Sequence, residues 1–313
     1  MEQDQSVGFV HPLSGQIVEA TPFMIYTNIA QSLPKQVSKE ILLAMWQEQN
    51  LMRRRVALYG FISQIPTESV SQHVVFQALQ EDTLCNDALY WIRSQHAIAL
   101  VPLVAEALLK RGVLRPEAHS VALELLSELG FDFRSYEQTL LNWASRHPTF
   151  DDITPIVATA ILLRLRHPKS KRLLSRLLHL SDQNLLAVGL RILGDHAPVS
   201  MIKDNLLHLL LSLPMREDCL EILFMALELV LSVPLSKRTL QQICHLLEIW
   251  NAKHSSERFK KGLHYFYDAY LVTQGYQIGE QGWKLVALRS PDLTNIPLVS
   301  ECVRRLLESH EVY

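Results

Sequence analysis

The 313-residue chain is 48% hydrophobic and 8% aromatic, which is ample for a sizeable core and excludes a disordered protein. Its 11 glycines are about half the average share, and no alternating Val, Ile and Thr run follows the N-terminal tail, so we expect an all-α fold. The formal net charge of −2 excludes a global attraction to nucleic acid or to an anionic membrane, so a partner has to be recognised locally.

The four cysteines, Cys85, Cys219, Cys244 and Cys302, are far apart and form no CxxC pair. Their apolar neighbours predict reduced core thiols, which suit a cytosolic or nuclear protein. The polar N-terminus lacks the apolar segment of a cleaved secretory signal. The longest apolar run, 219–235, carries two glutamates and predicts a buried helix of a soluble protein. We therefore expect a cytoplasmic location and no transmembrane segment.

The first 36 residues are predicted to form an N-terminal tail or cap. Residues 7–10 and 16–19 flank the turn-like segment His11-Pro12-Leu13-Ser14-Gly15, which could close a short hairpin. Thr21-Pro22 then supplies a capping hydroxyl and a first-turn proline, so we expect a helix from there to about Pro34.

From residue 37 onward, apolar residues recur at helical spacing, and prolines, glycines and capping residues mark the breaks. The pattern predicts fourteen helices, at 37–49, 51–63, 67–80, 84–94, 97–112, 116–129, 134–146, 151–166, 169–180, 183–194, 199–213, 216–232, 236–251 and 256–273. After Thr273, clustered glycines and prolines predict a loop-rich C-terminal cap, 274–313, with a last helix from about Pro297 to Ser309.

Residues 168–195 give the clearest pattern, two amphipathic helices joined by one sharp turn. Ser181 or Asp182 is predicted to cap the second helix and Gly194 to end it. Helices that close successive pairs end near 129, 166, 194, 232 and 273. This period of about thirty to forty residues is typical of helical solenoids.

A leucine-rich first helix, a turn with Asp182, then Leu185 and a second helix ending at Leu193-Gly194 resemble a HEAT or armadillo-like repeat. Residues 113–131 show a fainter version of the same pattern. In the unit 168–195, Leu186 stands where HEAT repeats usually carry arginine. The resemblance implies an α-solenoid over 37–273, a right-handed superhelix of antiparallel helical pairs. Residues 1–36 and 274–313 would be its atypical caps. The resemblance implies an architecture and no activity.

Catalytic signatures are absent from the sequence, which contains no P-loop, no G-x-G-x-x-G, no G-x-S-x-G and no H-E-x-x-H. The thirteen histidines are dispersed. Their densest group, His245, His254 and His264 beside Cys244, lacks the second close pair of a structural zinc site. We therefore expect no enzyme, no catalytic residues, no cofactor and no metal.

A cluster of six positive residues is the strongest local charge feature: Arg164, Arg166, Lys169, Lys171, Arg172 and Arg176 lie in a span, 153–181, that contains no acid. Lys169, Arg172 and Arg176 share one helical stripe. The interpretations are, in order, a solvated helix face, a groove for an acidic peptide, and a phosphate-tracking stripe for nucleic acid. An acidic stripe at Glu117, Glu124 and Glu128 counts against the last.

Aromatic residues are densest in 265–270, where four in six positions cannot all face one core. Tyr265, Tyr267 and Tyr270 are therefore a secondary candidate surface, with packing against the C-terminal cap as the first interpretation and a partner interface as the second. The isolated tryptophans are predicted to be core residues: Trp46, Trp91, Trp143 and Trp250.

Together these features predict a non-enzymatic helical-repeat scaffold or adaptor that binds another protein, as part of a multiprotein assembly. An acidic segment of that partner would suit the basic cluster. The alternative is a nucleic-acid-binding HEAT-like protein of the DNA repair glycosylase type, which the near-neutral net charge disfavours.

Overall fold

The computed structural model describes residues 7–10, 17–20, 37–233, 235–254, 256–273, 276–279, 282–285 and 302–303. The chain divides into two compact units, Met1–Asp132 and Phe133–Tyr313. The helix predicted to begin at Thr21-Pro22 lies outside the described residues. So does most of the one predicted at 297–309, of which Cys302 and Val303 are described and helical.

The first unit begins with a hairpin. Strand β1 (Val7–Val10) pairs antiparallel with β2 (Ile17–Ala20), and Val10 lies opposite Ile17. The segment between them, in which the sequence predicts a turn, lies outside the described residues.

Six α-helices follow in this unit: α1 (Lys39–Gln47), α2 (Leu51–Gln64), α3 (Ser69–Gln80), α4 (Cys85–Ser94), α5 (Val101–Ala105) and α6 (Pro116–Glu128). A 3-10 turn, Ile98–Leu100, precedes α5, and a π turn, Glu106–Lys110, continues it. Most of these helices contact their neighbour in the chain, and contacts also join helices two positions apart: α2 contacts α4, α3 contacts α5, and α4 contacts α6.

The second unit contains eight α-helices in its described residues: α7 (Glu137–Ala144), α8 (Thr154–Arg164), α9 (Ser170–Leu178), α10 (Gln183–His196), α11 (Val199–Ser212), α12 (Leu220–Leu231), α13 (Lys237–Lys253) and α14 (Glu257–Thr273). Short 3-10 turns, Arg134–Tyr136 and Glu217–Cys219, lead into α7 and α12. Hairpin strands β3 (Tyr276–Gly279) and β4 (Gly282–Leu285) follow α14.

Alternate helices of the second unit form an inner row. Contacts run from α8 to α10, from α10 to α12 and from α12 to α14, while α9 contacts α11 beside them. Every residue from Thr154 to Leu163 in α8 is buried, as expected for a helix packed on several sides. Helix α9, beside this row, keeps one face open to solvent, and its exposed cations lie on that face.

Helix α10 departs from its prediction at the end. Asp182 caps its start as expected, because the carboxylate accepts a hydrogen bond from the Leu185 amide at 3.0 Å. The prediction that Gly194 ends the helix is wrong, since α10 continues to His196. A Cβ at position 194 would lie 2.7 Å from Cδ2 of Leu229, so this glycine permits the close approach of α10 and α12.

The β3–β4 hairpin is a second difference, because the sequence predicts loops after Thr273. Tyr276 and Ile278 alternate with polar or small residues, as do Trp283 and Leu285, and the two closing glycines face each other in the register. This period of two is only four residues long on each strand, too short to stand out among the surrounding glycines and prolines.

The all-α prediction is confirmed, with two short hairpins as the exceptions among the described residues. Predicted and observed helices agree to within a few residues, if the 3-10 and π turns are counted with the helices they extend. Trp46, Trp91, Trp143 and Trp250 are buried as predicted. Cys85, Cys219 and Cys302 are buried as predicted, whereas Cys244 is partly exposed, and none of the four is in a disulfide. No described helix is both long enough and apolar enough to cross a membrane.

Candidate functional site

A groove of about 800 Å³ opens between α7 and α9 in the second unit. Its lining combines cations, small polar residues and leucines: Leu141, Ser145, Lys169, Arg172, Leu173, Ser175, Arg176 and His179. Three of the six predicted basic residues therefore meet in one place. Among the described residues that line the groove, none is acidic.

The amphipathic pattern of α9 explains this convergence. Leu173, Leu174, Leu177 and Leu178 are buried against the rest of the unit. Side chains three, four or seven positions apart share a helix face, so Lys169, Arg172 and Arg176 lie together on the opposite side.

Arg176 holds the two walls of the groove together. Its Nη1 donates to the Ser145 carbonyl at 2.9 Å, and its Nη2 donates to the Arg146 carbonyl at 2.9 Å and also to that of Ala144. These carbonyls end α7, where they have no helical donors, and a cation also interacts favourably with the negative end of a helix dipole. Arg176 therefore caps α7 and fixes it against α9.

Lys169 and Arg172 are exposed like Arg176, but their side chains make no hydrogen bond to backbone carbonyls and no ion pair with a carboxylate in the described part of this unit. Lys169 is the N-cap of α9, and the first turn also carries Lys171 and Arg172 but no acid. A helix N-terminus is already positive, so each cation there is unfavourable by about 0.3–1 kcal/mol. The potential at this end of the groove is therefore positive.

Two histidines complete the environment. His179 Nδ1 lies 2.6 Å from the Ser175 carbonyl, so the ring donates from Nδ1 and presents Nε2 as an acceptor when neutral. His167 accepts at Nδ1 from the Lys169 amide at 3.2 Å and places Nε2 3.9 Å from Oε2 of Glu137. The Glu137 carboxylate of α7 is thus near His167, which does not line the groove.

The other predicted cations lie elsewhere. Arg164 is half-buried in the last turn of α8, and burial lowers its pKa. Arg166 is exposed and adopts a left-handed conformation with φ of 57°. Lys171 is exposed but does not line the groove. The six-residue cluster therefore splits into a groove-lining half and a half outside it.

In the secondary candidate surface, Tyr265 is 76% exposed on α14, next to the buried Phe266. The Phe266 ring stacks on Phe224 with centroids 6.1 Å apart. The side chains of Tyr267 and Tyr270 lie outside the described part of the chain.

Sequence reasoning missed His179 and the small polar residues of the lining. A signal for His179 was available, because positions 169, 172, 176 and 179 continue one stripe at spacings of three and four. Ser145 and Leu141 carry no such signal, since they reach the groove from a helix nearly thirty residues earlier through the folding of α7 onto α9.

No protein-family model, curated protein or solved structure matches the chain. The HEAT and armadillo resemblance consequently depends on residues 113–131 and 168–195 of this sequence alone.

Proposed function

We propose that the chain is a non-enzymatic, cytoplasmic scaffold or adaptor of the HEAT or armadillo-like type, which binds an acidic segment of another protein within a multiprotein assembly. The groove between α7 and α9 is the docking site. Lys169 and Arg172 contact the acidic side chains, and Arg176 positions the walls.

One observation carries this proposal: three cationic side chains, Lys169, Arg172 and Arg176, line a groove in which no described lining residue is acidic. Two of them, Lys169 and Arg172, have no carboxylate partner among the described residues of the unit, so their charge is available to a ligand. Carboxylates pair well with guanidinium and ammonium groups, and such complementarity gives specificity and fast association. An acidic peptide matches this lining better than an apolar or basic one does.

The packing of the second unit supports the solenoid part of the proposal. Contacts between alternate helices, α8 to α10 to α12 to α14, are those expected when helical pairs stack and each repeat touches its neighbours. Stacked repeats use their extended surfaces to bind other proteins. The cysteine thiols suit a reducing compartment.

The test measures binding of the full chain to a fluorescein-labelled peptide of alternating Glu and Ser by fluorescence anisotropy. The double variant Lys169→Glu/Arg172→Glu is expected to weaken binding about tenfold or more, because two attractive contacts become repulsive. Far-UV circular dichroism checks that the helices remain.

A matched control is available in α14, where Arg258 and Lys261 are exposed, three positions apart, and outside the groove. Arg258→Glu/Lys261→Glu changes the net charge equally and should leave the affinity nearly unchanged. Equal losses in the two double variants would show a general charge effect and contradict the proposal. A steep salt-dependent affinity for an oligonucleotide that exceeds the peptide affinity would favour nucleic acid instead.

A further inference from the structure

Three grooves of the second unit continue one another. The basic groove shares Ser175 and His179 with a groove of about 240 Å³ between α9 and α11. That groove shares His208 with a third, of about 280 Å³, between α11 and α13. The shared side chains join the grooves into one track, which crosses α7, α9, α11 and α13.

The chemistry changes along this track. Lys169 and Arg172 line the first groove, whereas aliphatic side chains dominate the third, namely Leu207, Leu210, Leu211, Ile243 and Leu246. Leu211 is 60% exposed, and among the described residues of the second unit no other large aliphatic side chain is so open. Asp204 also lines the third groove, and its charge disfavours an acidic ligand there.

The length of the track limits what can occupy it. Lys169 and Arg172 belong to α9 and Leu211 to α11, and these two helices contact each other, so one helix-to-helix step of about 8–10 Å separates the two ends across the helices. An extended chain covers about 3.3 Å per residue, so about three residues cross this step, and a segment of about nine residues is long enough to reach both ends.

We infer that the track binds one partner segment with acidic residues at one end and an aliphatic residue at the other. The acidic end lies over Lys169 and Arg172, and the aliphatic side chain packs beside Leu211. Charge complementarity fixes the first end, and repulsion from Asp204 opposes the reversed placement. The acidic end rests on the proposed function, and the aliphatic end goes beyond it.

The test compares two labelled peptides of about nine residues on the full chain: an acidic-only peptide, and a bipartite peptide with acidic residues, a Gly-Ser spacer and leucines, synthesised in both N-to-C orders. In its better order, the bipartite peptide is expected to bind about tenfold more tightly, because it buries an aliphatic side chain. Leu211→Gln should abolish this gain and leave the acidic-only affinity unchanged. Ile98→Gln, which removes an exposed aliphatic residue of the first unit, should change neither affinity.

The first two outcomes distinguish the two proposals, and the third bears on both. Equal affinities for the two peptides, or a gain that survives Leu211→Gln, would overturn the bipartite track while leaving the acidic docking site standing. An acidic-only affinity that Lys169→Glu/Arg172→Glu does not reduce would overturn the proposed function itself. An oligonucleotide of similar length that displaces the bipartite peptide at stoichiometric concentration would overturn both.

Discussion

A single guanidinium, that of Arg176, joins the helices on either side of the basic groove. Its partners are three consecutive backbone carbonyls at the end of α7, thirty or more positions earlier in the chain. The spacing of charged residues correctly groups Arg176 with Lys169 and Arg172, but it cannot separate their roles. Backbone carbonyls have no sequence signature, so a capping arginine and a ligand-binding arginine look alike until the helices are placed.

Replacing Arg176 should therefore lower the stability of the protein, whereas replacing Arg172 should not. We expect Arg176→Ala to lower the free energy of unfolding by about 1–2 kcal/mol, because exposed charge-assisted hydrogen bonds are lost and α7 is left uncapped. Urea denaturation followed by circular dichroism measures the change. Arg172→Ala, one turn away and without those bonds, should lie within about 0.5 kcal/mol of the parent. Similar losses in both variants would contradict the capping role.

Arg166 adopts a backbone conformation that residues other than glycine rarely adopt. It follows α8 with φ of 57°, and the amide of His167 donates to the Leu162 carbonyl at 3.0 Å, which is the pattern of a Schellman cap. Glycine adopts this conformation without strain and does so at Gly130, after α6, where φ is 77°. The proline that follows α8 in the sequence predicts where this helix ends, but it cannot show that an arginine occupies the left-handed position.

Arg166→Gly is expected to stabilise the protein by about 0.5–1 kcal/mol, since relief of left-handed strain outweighs the added freedom of the unfolded chain. Chemical denaturation provides the measurement. Arg166→Ala serves as the control, because alanine keeps the Cβ and hence the strain. A gain of the same size with alanine would attribute the effect to lost charge rather than to the backbone.

At the scale of elements, α9 combines a stable apolar face with an electrostatically unfavourable start. Its buried leucines fix the helix, whereas the N-cap and first turn carry Lys169, Lys171 and Arg172 and no acid. Such an arrangement is less stable than one with acidic residues in the first turn. An unfavourable helix start of this kind is expected where a cationic surface serves binding, because residues selected for function often lower stability.

Lys171→Glu tests this interpretation, because Lys171 lies in the first turn but outside the groove lining. We expect it to raise the free energy of unfolding by about 0.5–1 kcal/mol at low salt, through a favourable interaction with the helix dipole. Lys171→Gln should give about half of that gain. Thermal unfolding at low and high ionic strength measures both effects, and a gain that does not shrink with salt would rule out the electrostatic origin.

Elements were predictable where local signals and packing agree. The helices of 37–273 and the Asp182 cap follow from capping and periodicity. The role of Gly194 could not be predicted in this way, because glycine both ends helices and permits close packing. The closeness of Gly194 to Leu229 of α12 decides between these two roles. The sequence therefore predicts which segments are helical better than it predicts how they touch.

At the scale of the whole molecule, net charge and local charge have opposite signs. The formal net charge of −2 gives no general attraction for an acidic ligand, whereas the groove between α7 and α9 is cationic. Binding of an acidic peptide must then depend on the local field, which reaches about 10 Å at 0.1 M salt and about 3 Å at 1 M. The triad of Lys169, Arg172 and Arg176 supplies this field.

Salt should therefore weaken the complex strongly. Between low and high ionic strength we expect the affinity of the full chain for the acidic peptide to fall about tenfold or more, because its contacts with Lys169 and Arg172 are solvent-exposed and readily screened. Anisotropy titrations across a sodium chloride series measure the slope of log affinity against log salt. Lys169→Glu/Arg172→Glu should flatten that slope, whereas Arg258→Glu/Lys261→Glu should preserve it. If both double variants flatten the salt slope equally, the attraction comes from the general charge of the molecule. Binding that is insensitive to salt would exclude a charged docking site.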